Sequence, residues 1–165
     1  MNISRFTQKS QEVIQLCEKT AMDYGHQEIA QEHLLYSMMN VDESLIRKLI
    51  EKMGIEPDVF TTQVESLLQK RPKVTGGELH IDQKLNETLI YAEDEAKRMG
   101  DEYVSVEHLF LSLLAHPSKE IKALMKDCNI DRNRFLQVLS EVRGNQRVTS
   151  DNPEATYDTL EKYGS

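Results

Sequence analysis

The chain has 165 residues, of which 39% are hydrophobic and 29% charged. That balance describes a globular domain with enough length to bury a core and argues against a disordered chain. Acidic residues outnumber basic ones, 28 to 20, for a net charge of −8, so no basic footprint for nucleic acid is expected. No apolar run approaches the roughly 20 residues that span a bilayer, and the opening Met-Asn-Ile-Ser-Arg-Phe lacks a signal-peptide core. Neither a membrane partner nor export is expected. Cys17 and Cys128 are far apart and fall on apolar helical positions, which predicts buried structural thiols, a reducing compartment and a cytoplasmic location.

The chain repeats itself. Residues 6–68 align with 81–143 at a constant offset of 75 and without a gap. Glu12 meets Glu87, Ala21 meets Ala96, Gly25 meets Gly100, Glu32-His33-Leu34 meets Glu107-His108-Leu109, and Phe60 meets Phe135. A repeat of this kind fixes the architecture before any local assignment.

In each copy the first helix carries an apolar stripe at steps of three and four. Ser10, Ile14, Cys17, Ala21 and Tyr24 form it in one copy, and Leu85, Leu89, Ala92, Ala96 and Met99 in the other. Thr7 and Asp82 stand where N-caps belong, and Gly25 and Gly100 where a left-handed residue ends the helix. Second helices are expected from near Gln31 and Val106, the latter capped by Ser105; Ala30 gives the former a weaker cap. Third helices run from about 44 to 53 and 119 to 128, followed by Gly54 and Asn129. Fourth helices begin after Pro57 and Asp131, with Phe60, Val64 and Leu67 matched by Phe135, Leu139 and Val142.

The expected fold is all-α: eight helices as two four-helix repeats about a pseudo-twofold axis, sharing one core because a unit of about 65 residues is marginal alone. Residues 69–80, with Lys-Arg-Pro-Lys and Gly76-Gly77, read as an exposed, mobile connector. Residues 144–165 have no repeat partner and read as a linker into a further module. Tyr157, Leu160 and Tyr163 there lack an evident partner, which suggests a piece of a longer protein.

The motifs Arg5-Phe6-Thr7, Gly25-His26, Glu32-His33-Leu34 and their echoes Gly100-Asp101 and Glu107-His108-Leu109-Phe110 resemble the duplicated Clp N-terminal (Clp R) domain, which opens the Clp/Hsp100 AAA+ unfoldases. The resemblance covers residues 1 to about 143. The tail, Arg147-Val-Thr-Ser-Asp-Asn-Pro-Glu and Thr159-Leu-Glu-Lys-Tyr-Gly, looks like the lead-in to the first ATPase module of ClpB-type disaggregases. The resemblance implies a hexameric, ATP- and Mg-dependent AAA+ machine working with an Hsp70 system on unfolded or aggregated clients. This chain would supply a monomeric client-binding and regulatory domain with no cofactor of its own. The alternative is an adaptor-docking scaffold of a ClpC/ClpA-type unfoldase that feeds a protease.

No Gly-x-x-x-x-Gly-Lys-Ser/Thr phosphate loop is present, no Gly-x-Ser-x-Gly elbow, and no His-x-x-x-His pair, so neither an independent enzyme nor a metal site is expected. Glu32 and Glu107 each fall in the first turn of a second helix. Acids there complement the helix dipole by about 0.3–1 kcal/mol, which is reason enough for them. The functional alternative is an acidic handle for a client or adaptor. The resemblance places ligand-contacting acids at these helix starts and sets Thr7 near Asp101 and Glu107; ClpC-type domains grip phosphorylated arginine there, a specificity not expected of the ClpB type. Asp101 faces His26 in the alignment, so the duplication does not require an acid there. Ile90 and Tyr91 lie off the core stripe, opposite Gln15 and Leu16. They are expected to pack on the sister unit; otherwise they line a shallow groove bordered by Tyr91, Glu107 and His108, with Phe6 as a further edge.

Overall fold

The computed structural model describes residues 5–157. Repeat one comprises α1 (Gln8–Tyr24), the short strand β1 (Glu28–Ile29), α2 (Gln31–Asn40), α3 (Leu45–Lys52) and α4 (Pro57–Gln69). Repeat two follows as β2 (His80–Ile81), α5 (Gln83–Arg98), α6 (Val106–Ala115), α7 (Lys119–Asp127) and α8 (Arg132–Arg143). A short helical segment over 153–157 comes last among the described residues. No helix among them is long and apolar enough to cross a membrane.

Local chemistry starts most of these helices where the sequence predicts. Thr7, Ser44, Asp82, Ser118 and Asp131 each accept the backbone N–H three residues ahead, at 2.8 to 3.2 Å. Such a cap contributes about 1 kcal/mol. Gly25 and Gly100 end their helices at φ 74° and 70°, a region costly for residues with a Cβ. α2 and α6 begin differently. His33 Nδ1 accepts the Ala30 N–H and His108 Nδ1 accepts the Ser105 N–H, both at 2.9 Å. These are the returning half of a capping box, with imidazole in place of the usual carboxylate.

The helices share one core. α1 packs on α2 and on α6, α2 also on α5 and α6, and α3 on α6 and α8. Phe110 and Phe135 stack at 4.5 Å between ring centroids. Because α1 is covered from two sides, its buried face is wider than a single stripe: Val13 and Thr20 are buried, while Ile14 and Tyr24 are only partly so. Glu95, the counterpart of Thr20, is a buried acid paired with Arg98 at 2.7 Å and Arg132 at 2.6 Å, which ties α5 to α8. Gln31 joins the two units. Its Nε2 donates to Thr88 Oγ1 (2.9 Å) and His116 O (2.8 Å), and its Oε1 accepts the Ser118 N–H (2.8 Å).

A small amount of β-pairing supplies what the helical pattern does not announce. β1 and β2 pair in parallel, Glu28 with His80 and Ile29 with Ile81. A second parallel bridge joins Phe6 to Val104. A shift of 75 residues turns Phe6 into Ile81 and Ile29 into Val104, so the two bridges exchange as a twofold relation requires. The lead-in to each repeat's first helix therefore pairs with the other repeat's loop. The connector is correspondingly less free than its composition predicts. It is mostly exposed, yet Val74 donates to Gly25 O (3.0 Å) and His80 to Gln27 O (3.0 Å). Both cysteines are free thiols. Cys17 is buried, and burial pushes its thiol up to about 12. Cys128 departs from expectation: it sits at the end of α7, only partly buried, with Sγ 3.4 Å from Gln63 Oε1.

Candidate functional site

Thr7, Asp101, Glu107 and His108 come together where the α5–α6 loop, the start of α6 and the lead-in to α1 meet. Thr7 N–H donates to Val104 O at 2.9 Å, which brings the α1 N-cap beside α6. His108 has its Nδ1 committed as an acceptor, so in the neutral ring Nε2 carries the hydrogen and donates to Asp101 Oδ2 at 2.7 Å. Arg143, at the end of α8, reaches into the same place. It bonds Asp101 through Nη2 and lies 3.4 Å from Glu107 Oε2 through Nη1. Burial alone would raise the Asp101 carboxyl. Hydrogen bonds from His108, Arg143 and the Val148 N–H outweigh it and pull Asp101 down to about 2.

The site has a cover. Residues 144–157 fold back across it. Glu102 N–H donates to Val148 O (2.8 Å), and Val148 N–H donates to Asp101 Oδ1 (3.0 Å). Gln8 N–H donates to Asp151 O at 2.7 Å. Glu154 Oε2 accepts from Thr7 Oγ1 at 2.9 Å and lies 3.4 Å from the Val106 N–H at the start of α6. The Arg143 guanidinium stands 5.7 Å over the Tyr157 ring. Val148, Glu154 and Tyr157 are all buried. Tyr157 therefore has a partner surface that its sequence context does not reveal; Leu160 and Tyr163 lie outside the described residues. Burial, then the adjacent Glu107 carboxylate, pushes Glu154 up to about 7. The same two causes raise Tyr157 well above the ordinary phenol range.

The equivalent place in repeat one is built from other groups. His33 Nε2 meets His26 Nδ1 at 2.8 Å, where repeat two has His108 and Asp101. Burial, then the neighbouring His26 and Arg71, lowers His33 to about 4, which keeps this histidine pair neutral at pH 7. Glu32 pairs with Arg71 of the connector at 2.8 Å. Each helix-start glutamate thus meets an arginine, but the two arginines do not correspond. Arg71 lies past the aligned stretch, in the connector, and Arg143 aligns with Leu68.

The remaining candidates are placed elsewhere. Phe6 is fully buried in the core rather than at a groove edge. Glu32 belongs to the other unit. Tyr91 stacks on His116 at the far end of α6, 4.3 Å between centroids, nine residues beyond Glu107 and so about 13 Å along the helix. Ile90 and Tyr91 are not covered by the sister unit; they are 47% and 40% exposed. A groove edged jointly by Tyr91, Glu107 and His108 does not form, because the last two are fully buried. Between the repeats lies a narrow apolar cleft lined by Ile14, Ile29, Ile81, Leu85 and Leu89. No group of three or more His, Cys, Asp or Glu among the described residues could hold a metal ion.

Two helix-start glutamates, each in a Glu-His-Leu motif and each closed over by the segment after its own fourth helix, are what the duplication builds. Residues 5–128 and 82–159 match the Clp repeat (R) N-terminal domain, twice over and across nearly the whole chain. The chain belongs to that family. It is 41% identical to the chaperone protein ClpB of Nitratidesulfovibrio vulgaris and 38% identical to that of Bacillus anthracis, over 99% of its own length in both cases. It spans only about a fifth of those relatives, 20% and 19% of their lengths. The fold is that of the Hsp104 N-terminal domain from Candida albicans, with a TM-score of 0.79 at 21% identity, covering 90% of this chain and 98% of that one. A structure described as a complex of the ClpV N-domain with a VipB peptide matches at TM-score 0.66 and 20% identity, covering 84% of this chain and 89% of that one.

Proposed function

We propose that this chain is the client-binding and regulatory amino-terminal domain of a ClpB-type protein disaggregase. The observation that carries the reading is the alignment with ClpB chaperones, complete on this chain's side and about one fifth on theirs. In the larger protein the ATP- and Mg-dependent work would fall to AAA+ modules outside this sequence, arranged as a hexamer and coupled to an Hsp70 system in the cytoplasm. The domain's own task is to hold unfolded or aggregated segments and pass them on. That a ClpV N-domain has been solved with a peptide supports the capacity of this fold for such a task.

Within the chain, the exposed Ile90 and Tyr91 and the apolar cleft beside Ile81 are the surface a client meets first. Thr7, Asp101, Glu107 and His108 form a polar centre behind the tail, and Glu32 its counterpart in repeat one. Phe6 supports the site from the core. Contacts of this size imply weak binding. Titration with a permanently unfolded protein (reduced and carboxymethylated), followed by amide NMR, is expected to shift resonances around Ile81, Ile90 and Tyr91. Absence of any shift at millimolar client would overturn the reading. Capture of a single folded, stoichiometric partner instead would favour the adaptor scaffold.

A further inference from the structure

The segment over 148–157 is held by the kinds of contact that bind a peptide. Val148 exchanges two hydrogen bonds with Asp101 and Glu102, one through main chain and one through the Asp101 carboxylate. Glu154, six residues on, places its carboxyl between the Thr7 hydroxyl and the Val106 N–H. Tyr157, three residues further, lies under the Arg143 guanidinium. Each receiving group belongs to the eight-helix body, and two of them are prearranged by bonds that do not involve the tail: Asp101 by His108, and Thr7 by its cap to Ser10 and its pairing to Val104.

The fit is also imperfect in a telling place. Glu107 Oε1 and Glu154 Oε1 are buried and have no hydrogen-bond partner among the described residues. Two carboxyl groups thus share one buried compartment, which costs free energy in the closed form and is relieved on opening. A purely structural strap would not be expected to keep an acid beside an acid. A displaceable one can.

We propose that residues 148–157 are an internal ligand of a peptide site formed by Thr7, Asp101, Glu102, the start of α6 and Arg143. The outside ligand is an extended peptide segment carrying a carboxylate and, three residues later, an aromatic ring, and it competes with the tail for the same contacts. This rests on the client-binding reading for the source of the outside ligand, though not for the internal closure. Repeat one lacks the device: its equivalent of Asp101 is His26, and the segment carrying Glu154 has no counterpart in the repeat.

The test uses the 165-residue chain and two probes. One is a fluorescent synthetic peptide of residues 146–158; the other is a permanently unfolded, reduced and carboxymethylated protein. Two opened variants are made independently: Glu154→Ala with Tyr157→Ala, and Val148→Pro, which removes the N–H that Asp101 accepts. Both should bind the peptide at least tenfold more tightly than the parent, because no internal copy competes. Should one variant misfold, the other carries the test. Equal or undetectable peptide binding by parent and opened chains would overturn the proposal. If the unfolded protein gains affinity in parallel, competition for clients is supported. If the peptide gains but the unfolded protein binds no form, the internal ligand stands and the client-binding reading fails. If the unfolded protein binds every form equally while the peptide gains nothing, the internal ligand fails and the client-binding reading stands.

Discussion

The two repeats put a glutamate at the same helix start and then treat it differently. Glu32 meets Arg71, whose side chain is 23% exposed and belongs to a connector; Glu107 meets Arg143, which is 2% exposed and belongs to α8. Beside Glu32 stands a neutral histidine pair. Beside Glu107 stands a buried Asp101–His108 pair that shares the same arginine and is roofed by the tail. The shared scaffold therefore asks only that an acid at this position be answered by a cation. How deeply the answer is buried differs between the copies.

The largest break in the comparison should come from Arg143. Removing it leaves Asp101 and Glu107 buried together without a countercharge. Arg143→Ala is expected to destabilise the chain by about 3–5 kcal/mol, read from the midpoint of urea unfolding. A loss below 1 kcal/mol would mean that the centre is open to water and that the contrast with repeat one is false.

Next in size is the pH dependence of the tail. Glu154 has its carboxyl raised to about 7 in the closed form, from an ordinary value of 4.5. A raised acid favours closure while it stays protonated. Its contribution is fully present below about 4.5 and is lost as pH rises through about 7, by up to about 3 kcal/mol at 1.36 kcal/mol per unit. The groups around it are Glu107, Tyr157, Arg143, Asp101 and His108. Tyr157 and Arg143 are raised from values already above this window, and Asp101 is held near 2, so these three keep their charge states across it. Tail amide resonances should report a closed form at pH 5.5 and a loosened one at pH 8. Glu154→Gln, which still accepts from Thr7 and Val106, should flatten the profile. A profile unchanged by Glu154→Gln would remove the acid pair from the account.

Gln31 tests the asymmetry at the unit interface. Its counterpart is Val106, so Gln31→Val writes repeat two's residue into repeat one. The change leaves the Ser118 N–H and His116 O without their partner. An expected loss of about 1 kcal/mol in thermal or urea unfolding follows from the unpaired, partly buried groups. A neutral result would show that the interface is apolar packing alone.

Much of this was legible in the residues. A fixed offset of 75 gave the number, order and ends of the eight helices, because caps such as Thr7 and Asp82 and stops such as Gly25 and Gly100 act locally. The gathering of Thr7, Asp101 and Glu107 came from the family resemblance, and the geometry agrees with it. What was not legible depends on contacts between distant residues. The exchange of Phe6–Val104 and Ile29–Ile81 bridges involves two-residue segments with no period to detect. Arg143 sits on a helix position aligned with Leu68, so nothing local marks it as the charge that closes the site. Glu154 and Tyr157 lie in a polar, turn-rich stretch without a repeat partner, where composition predicts a linker. One signal is present: an apolar Val148 and an aromatic Tyr157 inside such a stretch are unexpected unless something covers them.

The smallest effect should come from Arg71. Arg71 is 23% exposed although Glu32 is only 5% exposed, so water reaches the carboxylate once the arginine is gone and the loss should be about 1 kcal/mol, well below that at Arg143. Arg71→Ala should therefore cost little stability. The sharper readout is His33, which burial, His26 and Arg71 together hold near 4. Removing the arginine takes away one of those depressing causes, and the ring should titrate upward. His26→Asp goes further by writing the second repeat's acid into the first. It replaces a neutral acceptor with a carboxylate beside His33 Nε2, which favours the imidazolium. Imidazole NMR titrations should show His33 rising in Arg71→Ala and rising more in His26→Asp. If His33 stays low with an aspartate beside it, burial alone sets the difference between the repeats, and Asp101 cannot be what distinguishes the second one.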